Sequence, residues 1–136
     1  MQEKDRFYNW KFPEIEEGKP TKYNWVVQNR EGLDLGYKSD IGAFTYINAK
    51  YGVVIEEYVQ IGSHCSIYSL STIDNREGKV HLKANCRVGT HTSIMPGVTI
   101  GKNSIVGAHS LVLEDIPDNV LAFGVPAKVI RSLDAR

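Results

Sequence analysis

The run L82-KANCR-VGTHTS-IMPGVT-IGKNSI-VGAHSL-V112 repeats every six residues without a slip. Aliphatic side chains recur at Leu82, Val88, Ile94, Ile100, Val106 and Val112. Four residues after each of the first five stands a compact one: Cys86, Thr92, Val98, Ser104 and Ser110. A helix repeats near 3.6 residues and an ordinary strand near 2, so a strict period of six means a chain that turns a corner every hexad and coils on itself. The reading is all-β, a parallel β-helix. The aliphatic residue fills the prism, the compact one fits near a corner, and Gly89, Gly101 and Gly107 relieve crowding at the bends.

Backwards from Leu82 the pattern continues through Ile73, Ile67, Ile61 and Ile55, then Ile47, Ile41 and Leu35. Two slips interrupt it, one near Tyr51 and one within Asp74 to His81, where extra residues must leave the coil. With three hexads per coil the chain holds roughly four coils, enough for neighbours to bury a common core. The expected organisation is a cap over residues 1–34, a β-helix over 35–116 with a loop at 74–81, and a tail over 117–136 that packs on the last coil through Val125, Val129 and Ile130.

At 136 residues, 42% hydrophobic and zero formal net charge, the chain fits one folded domain with no attraction to a polyanion, so nucleic acid is not an expected partner. No apolar run approaches the ~18 residues of a membrane span. The start MQEKDRFYNW lacks the apolar core of a signal peptide, which makes the cytoplasm the expected compartment. Cys65 and Cys86 count to one face a single coil apart. Parallel side-chain directions and a reducing compartment favour packed free thiols there over a disulfide.

Residues 1–34 are the least regular part. Phe7, Tyr8, Trp10, Phe12, Tyr23 and Trp25 cluster ahead of the repeats and suit a cap over the open end of the prism. An alternative use of such rings is stacking on a sugar or base, with Trp25 the better placed.

The C-terminal stretch PGVTIGKNSIVGAHSLVLEDIPDNVLAFGVPAKVIR resembles the hexapeptide-repeat acyltransferases, above all the galactoside and maltose O-acetyltransferase branch and the related sugar N-acetyltransferases. The combination of PGVTIG, a DIP turn and GVPAKVIR carries the resemblance. It implies a left-handed coil, a homotrimer, and acetyl-CoA as acyl donor between subunits, with no metal. It further implies that the corners at Thr90 and Ala108 meet the pantetheine arm and that Lys128 and Arg131 approach the nucleotide end. Asn48 and Glu57 match the family's acceptor pocket.

Counting faces places His91 and His109 at the cofactor corner, His64 in a solvated column with Asn85 and Asn103, and His81 at the close of the inserted loop. The galactoside-type enzymes carry their catalytic histidine in a longer loop, followed by proline, whereas this loop reads DNREGKVH. The family's base does not map. Asp74, Glu77 and His81 are the candidates, and a histidine titrates nearest neutral pH. A neutral amine needs less help from a base than a hydroxyl does, so loss of the family histidine tilts the expectation toward an amino acceptor. The expected acceptor is a nucleotide-linked or glycan-precursor sugar for cell-surface polysaccharide synthesis. Two other readings stay open: a zinc-dependent carbonic anhydrase-like protein using His81, His91 and His109, and a non-catalytic scaffold.

Overall fold

A computed structural model describes residues 7–134. The chain winds as a left-handed parallel β-helix of triangular section. The first face stacks Val26–Gln28, Tyr46–Asn48, Ser66–Tyr68, Ser93–Ile94 and Leu111–Val112. The second stacks Leu33–Leu35, Val53–Ile55, Val80–Leu82 and Thr99–Ile100. The third stacks Asp40–Ile41, Gln60–Ile61, Arg87–Val88, Ile105–Val106 and Val120–Gly124, and ends with Ala127–Ser132 as an antiparallel edge.

Register follows from the aliphatic positions. Leu35, Ile55, Leu82 and Ile100 lie one above another on the second face. Ile47, Ile67, Ile94 and Val112 do so on the first, and Ile41, Ile61, Val88 and Val106 on the third. A slip of one residue would turn every one of them outward, so burial fixes the pairing. The compact residues near the corners are hydrogen-bonded as well as buried. Thr45, Thr92 and Ser110 donate their hydroxyls to the carbonyls of Gly62, Gly107 and Gly107 respectively, which removes the cost of burying them.

Corners demand a left-handed residue and a close backbone approach. Lys38, Phe44, Tyr58, His64, Asn85, His91, Asn103 and His109 all hold φ between 54° and 65°. A Cβ added to Gly42, Gly62 or Gly89 would strike backbone of the next coil at 2.4, 2.7 and 2.5 Å. Only glycine lets the coils stack there.

The structure corrects several sequence expectations. Ile73 is 96% exposed and contributes nothing to the core. Leu82 sits above Ile55, 27 residues back, where counting through Ile73 would put it above Ile61, and the additional chain forms a hairpin in which Leu70–Ser71 pairs with Arg76–Glu77. Counting Ile73 as a core hexad therefore shifted every earlier column by one face. Cys65 and Cys86 do not share a face. Cys65 is aligned with Thr45 and Thr92, while Cys86 is aligned with Val59 and Ser104, and both are buried free thiols. Pairing also begins before Leu35, since Val26–Gln28 already lies on Tyr46–Asn48. Val125, Val129 and Ile130 do not fold back onto the coil. They are 72%, 49% and 50% exposed, because the tail continues the third face as a hairpin instead of crossing the prism end.

The N-terminal segment reaches the prism through main-chain and aromatic contacts. Gly18 N donates to Val27 O at 2.8 Å, and Trp10 Nε1 donates to Ser39 O at 2.9 Å. Trp25, 2% exposed, lies within the hydrophobic core. No helix among the described residues is long and apolar enough to cross a membrane.

Candidate functional site

The third face carries a strip without side chains. Gly42, Gly62, Gly89 and Gly107 follow the strands of successive coils, and the requirement for close stacking that selects them also leaves bare backbone outside. They line a groove of about 480 Å³, bordered by Asp40, Gln60 and Arg87 on one side and by Ser63 on the corner. Bare main chain in a slot suits an extended ligand that offers amide groups and methylenes.

Beside that groove the corner holds Thr90, Ala108 and three stacked imidazoles. His64 and His91 have centroids 4.7 Å apart with rings 3° from parallel, and His91 and His109 lie 4.8 Å apart at 11°. Asn85 and Asn103, assigned to the column of His64 by counting, stand in another one, where Asn85 Nδ2 donates to Asn103 Oδ1 at 2.9 Å. Thr90 donates its hydroxyl to Ser63 O at 2.7 Å, and its Oγ1 lies 2.9 Å from His91 Nδ1. A hydroxyl has one hydrogen, so Nδ1 of His91 is the donor in the second contact and Nε2 is left as the acceptor of the neutral ring.

On the second face, His81 lies between Val54 and Thr99 on a strand, not in the loop. Its Nε2 is hydrogen-bonded to Glu56 Oε2, and Glu56 Oε1 accepts from Ala84 N at 3.0 Å. Burial pushes the Glu56 carboxyl up, but the His81 and Ala84 hydrogen bonds and the charges of His81 and Lys83 outweigh it and hold the group below its usual range. An ionised carboxylate only accepts. Nε2 of His81 therefore carries a hydrogen in this contact, and Nδ1 is the nitrogen that accepts whenever the ring is neutral. With side chains 29% and 33% exposed, the pair is accessible to a small molecule.

Glu56 was missed in the sequence because the false core position at Ile73 moved His81 away from it. With Leu82 over Ile55, Glu56 and His81 fall within reach. Glu57, expected at the acceptor, is exposed on the adjoining turn. Asp74 and Glu77 are exposed on the hairpin, and the described ion pair of His81 is to Glu56 and to neither of them. Asn48 lies on the first face beside the root of the hairpin, where its Nδ2 donates to the Tyr46 hydroxyl at 3.4 Å and its main-chain carbonyl accepts from Ser69 N at 2.9 Å. Tyr68 packs on Tyr46 with centroids 5.7 Å apart. Trp25 is 2% exposed and packed within the hydrophobic core, which does not suit the sugar-stacking use expected of it. Lys128 and Arg131 are exposed on the last strand, across from Phe123 and Leu121.

The three histidines of the zinc reading are not gathered. His91 and His109 stack at one corner and His81 pairs with Glu56 on the second face. Among the described residues no group of three or more His, Cys, Asp or Glu side chains has the geometry to hold a metal ion.

Comparison with known proteins identifies the family and the fold. Residues 79–114 match the family model described as bacterial transferase hexapeptide (six repeats). The chain is 35% identical over 114 residues to a galactoside O-acetyltransferase of Lactococcus lactis, covering 73% of this chain and 55% of that protein. It is 36% identical over 116 residues to the galactoside O-acetyltransferase of Escherichia coli, covering 74% and 57%. It thus spans little more than half the length of these relatives. The fold superimposes on a galactoside acetyltransferase solved in complex with coenzyme A, with a TM-score of 0.74 and 28% identity over 81% of this chain and 60% of that one.

Proposed function

This chain belongs to the hexapeptide-repeat acetyltransferase family, and from that premise we propose that it transfers an acetyl group from acetyl-CoA to the hydroxyl or amine of a sugar. The observation that carries the reading is the accessible His81–Glu56 pair, in a chain that also has a side-chain-free groove suited to a pantetheine arm. In this account the arm lies along the glycine strip beside Thr90 and Ala108, with His91 and His109 at its edge. Lys128 and Arg131 serve the phosphates, Lys as a point charge and Arg as a fork.

The chemistry follows from the tautomer of His81. Nδ1 accepts the proton as the acceptor oxygen attacks the thioester carbonyl and the new C–O bond forms. The tetrahedral intermediate then collapses with breakage of the C–S bond, and the imidazolium returns the proton to the departing thiolate, which leaves as the CoA thiol. Glu56 holds the ring in this tautomer and stabilises the imidazolium. An amine that arrives neutral attacks by the same route and needs Nδ1 only for the proton it sheds afterwards.

Asn48 and Glu57 are assigned to the acceptor, and Asp74 and Glu77 on the hairpin to its approach. The acceptor is a nucleotide-linked or glycan-precursor sugar of the kind consumed in cell-surface polysaccharide synthesis, and the compartment is the cytoplasm, where acetyl-CoA is available. A homotrimer completes the site, because one prism leaves the glycine groove open along its length. The test is acetyl-CoA-dependent thiol release against a panel of sugars, amino sugars and nucleotide sugars, with sedimentation to establish the assembly. Release with at least one class supports the reading. Silence across the panel, with no rise in melting temperature on adding acetyl-CoA, favours the scaffold.

A further inference from the structure

The glycine strip of the third face ends on a side chain. Ile41, Ile61, Val88, Val106 and Ala122 stack inside the prism, so the residues that follow them form one outward column: Gly42, Gly62, Gly89, Gly107 and Phe123. A Cβ added to Gly107 would lie 2.9 Å from the Phe123 Cβ and 3.5 Å from atoms of its ring. Four coils of bare backbone thus run up against one aromatic ring, 45% exposed.

Core packing gives no reason for a ring there. Ala122 fills the interior from the same strand at 0% exposure, and Phe123 points away from it. The position is nevertheless well anchored. Gly124 N donates to Ser110 Oγ at 3.1 Å, and the Ser110 hydroxyl donates to Gly107 O at 2.7 Å, which ties the terminal hairpin to the corner that holds Ala108.

The column bordering the glycines changes character along the groove. Asp40, Gln60 and Arg87 occupy its first three levels, and Ile105 and Leu121 the last two. On the neighbouring edge strand Lys128 stands opposite Phe123 and Arg131 opposite Leu121. Residues opposite each other in a ladder share a face, so both cations lie beside the apolar end. One end of the groove is polar, and the other combines an aromatic ring, aliphatic side chains and two positive charges. A ligand with an extended arm, then phosphates, then a flat heteroaromatic ring matches that order, and coenzyme A has it.

We propose that Phe123 is the purine platform of the donor site: adenine of coenzyme A stacks on its ring, Lys128 and Arg131 meet the phosphates, and the pantetheine arm leaves over Gly107 and Gly89. The proposal rests on the acetyltransferase reading and adds to it a residue that selects a nucleotide-bearing donor over the phosphopantetheine arm alone. Stacking on an aromatic face tolerates exchange of one ring for another, but an aliphatic side chain of similar bulk cannot reproduce it.

The experiment is calorimetric titration with coenzyme A and, separately, with phosphopantetheine, which carries the same arm and no purine. Phe123→Ala and Phe123→Leu should weaken coenzyme A roughly 5- to 100-fold, the range for loss of one stacking ring, while Phe123→Tyr retains it. Phosphopantetheine, tested to millimolar concentration, should bind equally to wild type and Phe123→Ala or to neither. The absorption band of adenine should weaken when coenzyme A saturates the wild type and stay unchanged when it saturates Phe123→Ala. Sedimentation of the variant should match wild type. Unchanged coenzyme A affinity in Phe123→Ala, full affinity in Phe123→Leu, an equal loss for both ligands, or an altered assembly accompanying the loss would overturn the proposal. Binding of neither ligand by the wild type would remove the acetyltransferase reading together with it, whereas tight coenzyme A binding that ignores residue 123 would remove the platform alone.

Discussion

Ile55 and Leu82 lie directly one above the other inside the prism although 27 residues separate them, and the hairpin between them contributes no core residue from Ile73. Leu82→Ala should destabilise the protein by about 2–5 kcal/mol, the usual range for emptying a packed aliphatic site. Ile73→Ala should leave the chemical-denaturation midpoint nearly unchanged. Comparable losses in the two variants would contradict this register.

That register marks the limit of what the sequence made legible. The unbroken hexads from Leu82 to Val112 gave the coil, its interior and the glycine bends, because each coil of that run buries the same positions. Ile73 obeys the period by chance, and local spacing cannot separate a core isoleucine from one at the tip of a hairpin. The error moved His64 out of the His91 and His109 stack, put Cys65 and Cys86 on one face, and hid Glu56 from His81. The chemistry-bearing residue types were visible. Their juxtaposition depended on a pairing that spans the insertion.

Gly89 tests the coupling of stacking to the groove. Its Cβ would lie 2.5 Å from Ala108 N, so Gly89→Ala forces the two coils apart beside the proposed pantetheine slot. The expected outcome is a lower melting temperature together with loss of the thermal shift produced by acetyl-CoA. A variant as stable as the wild type, with the shift intact, would show that the coils are looser than described.

Both thiols are predicted to be inert in the folded protein. Burial pushes the Cys65 thiol up and raises Cys86 to about 12, so little thiolate exists near neutral pH. An aromatic disulfide reagent should detect no fast-reacting thiol in native protein and two in denaturant, matching the two cysteines of the chain. Fewer than two in denaturant without reductant would indicate a disulfide.

Glu56 makes stability depend on pH in a defined direction. Its carboxyl is held below the unfolded value, so its contribution is present above that value and is lost as pH falls through the folded one. Wild type should therefore lose stability on acidification below the ordinary carboxylate range more steeply than Glu56→Gln, whose side chain does not titrate. Parallel stability curves for the two proteins would rule out a charge-dependent bond between Glu56 and its partners.

In the proposed reaction, Nδ1 of His81, oriented by Glu56, moves the proton during acetyl transfer. The most direct measurement is kcat for acetyl transfer by His81→Ala with an accepted sugar hydroxyl, beside acetyl-CoA affinity measured by titration. A fall in kcat on the order of 10²- to 10⁴-fold with affinity unchanged is expected, the range for loss of a general base. Wild-type kcat in His81→Ala, at saturating acetyl-CoA and acceptor, would contradict it.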